Sequence, residues 1–231
     1  MTNQRGNPGT IVAVGGFSSN AGKTSLICEL LRAFPGWEAV KLTRGHYRSC
    51  GKDPHACCVS HLLGDEPTVR SGLQETYARG KDTGRFWDAG ASNVHWVIAT
   101  DAQVERGIRR ALERVETPGV FVEGNSFLRY VEPDVCFMAA RAGGGKIKPS
   151  AKRALRQTTA LYLFDEKDAS EKSLASESAR ERFAAWLEES GQSELVRSLP
   201  VYTREDLPLL VARVSEASER ASSAEATAGV G

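Results

Sequence analysis

Residues 11–25 read IVAVGGFSSNAGKTS. The β-formers Ile11, Val12, Ala13 and Val14 end at Gly15-Gly16. Gly22-Lys23-Thr24-Ser25 then opens a run carrying Leu26, Ile27, Leu30 and Leu31 at helical spacing. Strand, glycine-bounded loop and helix, in that order, is the arrangement that phosphate binding needs. Glycines let the backbone wrap a phosphate chain closely, loop N–H groups and the helix N-terminus bind the anion, and Lys23 reaches the outer phosphates. Thr24 places its hydroxyl on Mg²⁺. The expected nucleotide-binding set is Gly16, Ser18, Ser19, Asn20, Ala21, Gly22, Lys23, Thr24 and Ser25. One feature departs from the usual spacing: residues 17–21 put five positions before Gly-Lys-Thr, where four are usual.

Such a site needs a carboxylate at the end of another central strand to orient the Mg²⁺ shell. Residues 119–124, GVFVEG, supply one, an apolar run ending in Glu123 with Gly124 permitting close approach. Asp82 is the second candidate. Lys23, Glu123 and Asp82 are thus the expected catalytic groups, and Thr24, Glu123 and Asp82 the expected Mg²⁺ ligands. A plainer reading of Glu123, as a strand-end carboxylate facing water, stays open.

Working outward, apolar β-rich runs at 11–14, 39–42, 95–99, 120–123, 135–139, 160–164 and 199–202 alternate with helical stretches. Helices are expected after Lys23 and at 86–91, 103–115, 150–155, 173–189 and 205–215. In 103–115, Val104, Ile108, Ala111 and Leu112 form one apolar stripe between charges. This alternation predicts βαβ units and an α/β fold: a mainly parallel central sheet with helices on both faces, a three-layer sandwich. Residues 1–216 read as a single domain. The segment 43–82 reads as a long loop or small insertion, with only 61–63 apolar. The tail 217–231, within a run of Ala, Ser, Glu and Gly that starts at Ser215, reads as disordered.

The 231 residues are 41% hydrophobic and 26% charged, with a formal net charge of +1. That balance supplies no field that would draw nucleic acid or an anionic membrane to the whole surface. Residues 1–10, MTNQRGNPGT, carry no apolar stretch after Arg5, and no run approaches the roughly 20 apolar residues of a membrane span. The five cysteines are an odd number, and a cytoplasmic protein with reduced thiols is expected.

Several segments together resemble the molybdopterin-guanine dinucleotide biosynthesis adapters, the MobB-type proteins. These are GFSSNAGKTSLI at 16–27, GKDTGRF at 80–86 followed by Ala89-Gly90-Ala91, VFVEG at 120–124, and Lys41 followed by Thr43 and His46. The resemblance spans roughly residues 10–125, and the longer loop is similar to variants in the branch that also holds dethiobiotin synthetases. It implies that branch's P-loop NTPase fold, with nucleotide at the C-terminal edge of the sheet. It also implies a nucleotide-base contact where a strand ends at Phe164-Asp165, which makes Asp165 a candidate. No Asn-Lys-x-Asp guanine signature stands there, so ATP and GTP both remain.

His46, Cys50, His55, Cys57, Cys58 and His61 lie within sixteen positions. Thiolates and imidazoles suit Zn²⁺ or another transition metal, and Cys50, Cys57, Cys58 and His61 are the candidate ligands, completed by a homodimer if the site is shared. Adjacent Cys57-Cys58 is not the spacing of a zinc ribbon, so thiols that pack a helix remain the other reading. Arg44, Arg70, Lys81 and Arg85 fall where they could grip a second anionic substrate, or stand as solvated charges. Trp87 and Trp96 read as core.

Three functions follow as expectations. The first is a Mg²⁺-dependent, slow NTPase serving as an accessory factor in cofactor biosynthesis, acting with a partner enzyme. The second is a kinase or ATP-dependent ligase with a small-molecule acceptor, similar to dethiobiotin synthetase. The third is a nucleotide-gated metal-delivery protein.

Overall fold

The computed structural model describes residues 9–45, 59–165 and 174–228. An eight-stranded sheet, order β3-β4-β2-β5-β1-β6-β7-β8, forms the middle layer of an α/β sandwich. The strands are β1 (Thr10–Gly16), β2 (Glu38–Arg44), β3 (Thr68–Ser71), β4 (Val94–Ala99), β5 (Gly119–Glu123), β6 (Val135–Arg141), β7 (Ala160–Phe164) and β8 (Val201–Tyr202). All neighbours pair parallel except β3, which runs antiparallel to β4. Every residue of β1 is buried, as expected for a strand covered on both faces.

The two faces separate by alternation along β1. Ile11 and Ala13 join a core with Val104 and Ile108 of α4 (Val104–Leu112), Ala151 of α5 (Pro149–Ala154) and Phe183 of α6 (Leu174–Glu189). Val12 and Val14 join a second core. There they meet Leu26 and Leu30 of α1 (Lys23–Ala33), Phe86 of α3 (Asp82–Asp88) and Leu210 of α7 (Leu207–Ala228). From β1 the chain runs outward through β2, returns at β5, then crosses β1 to β6. That reversal opens a crevice at the carboxyl ends of β1 and β5, the usual ligand position in such sheets.

Two expectations are corrected. Within 43–82, read as a long loop or small insertion, the described part holds β3 and the short helix α2 (Leu73–Thr76), neither of which was expected, and α3 begins at Asp82, four residues before its expected start. A carboxylate in that first turn is favoured by the helix dipole. The tail 217–231 is helical as far as Ala228. Its composition rules out a further core but not a helix, because Leu210, Val214 and Ala217 anchor α7 and Ala- and Glu-rich sequence propagates it.

A polar chain ties β3 to the sheet. Ser71 Oγ lies 2.8 Å from His95 Nδ1, His95 Nε2 lies 2.5 Å from Glu38 Oε2, and the Glu116 N–H donates to Glu38 Oε1 at 2.8 Å. Burial alone would push the Glu38 carboxyl up, but the His95 ring and the Glu116 N–H outweigh it and hold the carboxyl below its ordinary range. The unfolded chain therefore binds the proton at Glu38 more readily than the folded one. This stability is present above the unfolded value, about pH 4.3, and is lost as pH falls through the lowered folded value. Glu38→Gln should cost about 1–3 kcal/mol at neutral pH and flatten the acid decline of the thermal midpoint. A variant with the wild-type acid limb in pH-dependent calorimetry would remove Glu38 from the account.

Candidate phosphate and metal site

The foot of the loop between β1 and α1 is anchored on both sides. The Gly16 N–H donates to Asn125 Oδ1 at 2.8 Å, and Asn125 Nδ2 donates back to the Gly16 carbonyl at 2.9 Å. Phe17 is buried among Phe183 and Trp186, its N–H bonded to the Ala139 carbonyl and its carbonyl to the Lys148 N–H. Beyond Phe17 the chain turns back through Asn20 at φ 56° and Gly22 at φ 88°. A Cβ at Gly22 would lie 2.4 Å from the Phe164 ring, so position 22 admits only glycine without moving β7's last side chain. Arg141 Nε donates to the Asn20 carbonyl at 3.1 Å and Lys148 Nζ to Ser19 Oγ at 2.9 Å, which places two cations along the loop.

Facing the loop, Glu123 ends β5 and is 2% exposed. Thr24 Oγ1 lies 2.9 Å from Glu123 Oε2 and 3.0 Å from Asp82 Oδ1. A hydroxyl has one proton, so it donates to only one of these carboxylates at a time. The other approach brings two lone-pair oxygens together. A cation relieves that conflict, and Lys41 supplies one, with Nζ at 2.5 Å from Asp82 Oδ2 and 2.7 Å from Glu123 Oε1. Lys23 Nζ stands 4.0 Å from Glu123 Oε1. Three hard oxygens converging from Thr24, Asp82 and Glu123 are the donor chemistry that Mg²⁺ takes.

Charge states follow from these contacts. Burial would lower the Lys41 pKa, but Glu123 and then Asp82 outweigh it and raise it. Burial likewise would raise Asp82, and Lys41 holds it low instead. At Lys23 burial prevails over Glu123 and lowers the pKa. The less solvated of the two lysines is thus locked between carboxylates, and the other is left facing the loop.

Ser19, Asn20, Ala21, Gly22, Lys23, Thr24 and Ser25 line one open cleft of about 520 Å³ together with Asp82 and Glu123. Gly16 and Ser18 do not line it, since Gly16 is taken by Asn125 and Ser18 Oγ donates to the Ser19 carbonyl. Asp165 lies in an adjoining hollow of about 410 Å³ that shares Ser25, Arg85 and Phe164 with the cleft. Its carboxylate is held by Arg182. Arg85 donates to Ser25 Oγ at 3.1 Å, Arg44 pairs with Asp101, Arg70 lies over the Trp96 ring, and Lys81 is exposed. Trp87 and Trp96 are half-buried and donate to Thr76 and Thr43.

Cys50, Cys57 and Cys58 fall outside the described residues, and His61 is exposed on a short 3-10 turn, Ser60–Leu62. Among the described residues no three His, Cys, Asp or Glu side chains group as a metal cluster. Burial pushes the Cys28 thiol up to about 11 and Cys136 to about 12, so neither is a ready nucleophile.

Asn125, Lys148 and Arg141 join the site although no motif in the sequence marks them. Only the Gly124-Asn125 step after Glu123 offers a local signal. Asn125→Ala should cost roughly 1–3 kcal/mol, for two hydrogen bonds to the backbone N–H and carbonyl of one buried residue, in chemical denaturation. An unchanged midpoint would show that the loop foot holds without it. Among the described residues no helix is long and apolar enough to cross a membrane. No protein-family profile matches the chain, and no curated protein is significantly similar to it.

Proposed function

We propose that the chain binds a nucleoside triphosphate, ATP or GTP, with Mg²⁺ in the cleft at the end of β1, and turns it over slowly. The observation that carries this reading is the convergence of Thr24, Asp82 and Glu123 oxygens beside a Gly-Lys-Thr loop, with Lys41 neutralising them. Thr24, Asp82 and Glu123 would hold the metal, which neutralises the charge on the outer phosphates. Lys23 contacts the outer phosphates, and Lys148 and Arg141 brace the loop around them. Lys41 stays with Asp82 and Glu123 and holds their oxygens in position beside the metal.

The similarity to the MobB-type adapters extends the proposal to a cytoplasmic accessory role in cofactor biosynthesis, with a partner enzyme as the recipient of the nucleotide-bound state. The test is calorimetric titration with Mg·ATP and Mg·GTP, with turnover measured with and without Mg²⁺. Saturable binding of at least one nucleotide and Mg²⁺-dependent hydrolysis are expected. Failure of both to bind would overturn the reading. A second reading, transfer to a small-molecule acceptor, is favoured by a basic pocket on the other side of Gly124-Asn125.

A further inference from the structure

Along β2, Lys41 lines the nucleotide cleft, Leu42 touches the same cleft and packs in the core with residues of α4 and α5, and Arg44 stands two positions further along on the face of Leu42. Arg44 there lines a second, smaller cavity of about 120 Å³. Arg129, from the 3-10 turn after β5, and Arg153, from α5, line the same space. Its floor is apolar, formed by Val104, Leu128 and Ala154.

Among the described residues, charge in this pocket is unbalanced. Arg44 pairs with Asp101 at 2.8 Å, and Asp101 is the only carboxylate among the described residues of the walls. Among the described residues neither Arg129 nor Arg153 has a carboxylate partner. Arg129 instead lies 5.5 Å from the Tyr130 ring centroid. Arg129 and Arg153, with Ser126 and Ser150 in the same lining, supply the donor types that suit an oxyanion. A volume of about 120 Å³ holds roughly four waters, enough for one anionic head group and a short carbon stem.

The pocket and the nucleotide cleft share a wall. Gly124 lines the cleft and Asn125 lines the pocket, while Lys148 faces the cleft and Ser150 the pocket. Asn125 also holds Gly16 at the loop foot. Resting on the nucleotide reading, we infer that this pocket anchors the anionic group of a second small-molecule substrate, a carboxylate or phosphate monoester, beside the terminal phosphate.

The experiment titrates succinate and glycerol 3-phosphate into the full chain and into Arg129→Gln plus Arg153→Gln, each without nucleotide and with saturating Mg·ADP. Both arginines are exposed, so the fold should tolerate their loss, and unchanged Mg·ADP affinity in the variant verifies it. The expected result is saturable binding of at least one probe that persists under Mg·ADP and weakens 10-fold or more in the variant. The preferred probe tells a carboxylate-bearing substrate from a phosphorylated one. Binding abolished by Mg·ADP would place the probes in the phosphate loop and overturn the inference, as would equal binding to both proteins or none to either. If Mg·ADP itself fails to bind, the nucleotide reading falls, and the pocket is then judged on the nucleotide-free comparison alone.

Discussion

Lys23→Ala should weaken ATP and GTP binding by about 10- to 150-fold, corresponding to roughly 1.5–3 kcal/mol for a lost charge-assisted contact to phosphate. Lys23 is the first residue of α1, and its ammonium stands at the rim of the loop, 4.0 Å from Glu123. Burial disfavours its charge in the free protein, and arriving phosphates reverse that, so the ligand gains a cation already positioned. Lys41 cannot substitute, because Asp82 and Glu123 hold it. Isothermal calorimetry with both nucleotides reads the effect. Equal affinities in the variant and wild type would end the phosphate-loop assignment.

Glu123→Gln should act on turnover rather than affinity, lowering the rate by on the order of 100-fold while binding changes only a few-fold. The carboxylate accepts from Thr24 and Lys41 and closes the oxygen set proposed for Mg²⁺. An interaction that strengthens as charge develops in transfer raises the rate more than it raises ground-state binding. Gln keeps the volume and leaves Lys41 paired with Asp82, so the fold has no reason to fail. Steady-state hydrolysis against Mg²⁺ concentration is the measurement. Wild-type turnover in the variant would move the acidic role to Asp82.

Seven of the eight strands could be read from local pattern, because a buried parallel strand writes itself as a short apolar run and an amphipathic helix as a periodic one. The Gly-Gly and Gly-Lys-Thr punctuation placed the loop in the same way. β3 leaves no such pattern, for an identifiable reason. Thr68, Val69, Arg70 and Ser71 are each only half-buried, and the strand is held by His95 and by Arg114, which donates to the Val69 carbonyl. Those partners lie 24 and 45 residues away, beyond any local period. In the tail, low apolar content does not mean low order, because a helix already anchored in the core needs no apolar face to continue.

The site divides along the same line. Residue type and spacing name Lys23, Thr24 and Glu123, since each sits at the end of an element whose limits are written locally, and offer Asp82 as a candidate although the start of α3 is not legible there. The sequence carried no sign that Lys41 bridges Asp82 and Glu123, or that Asn125 grips Gly16 from 109 positions away. It also held no sign that Arg44, Arg129 and Arg153 meet in one cavity. Those relations arise when β2 and β1 pair on either side of β5, which brings three distant strand ends to one edge of the sheet. Local propensity sets which residues end a strand, and the order in which strands pack sets which of those ends share a charge.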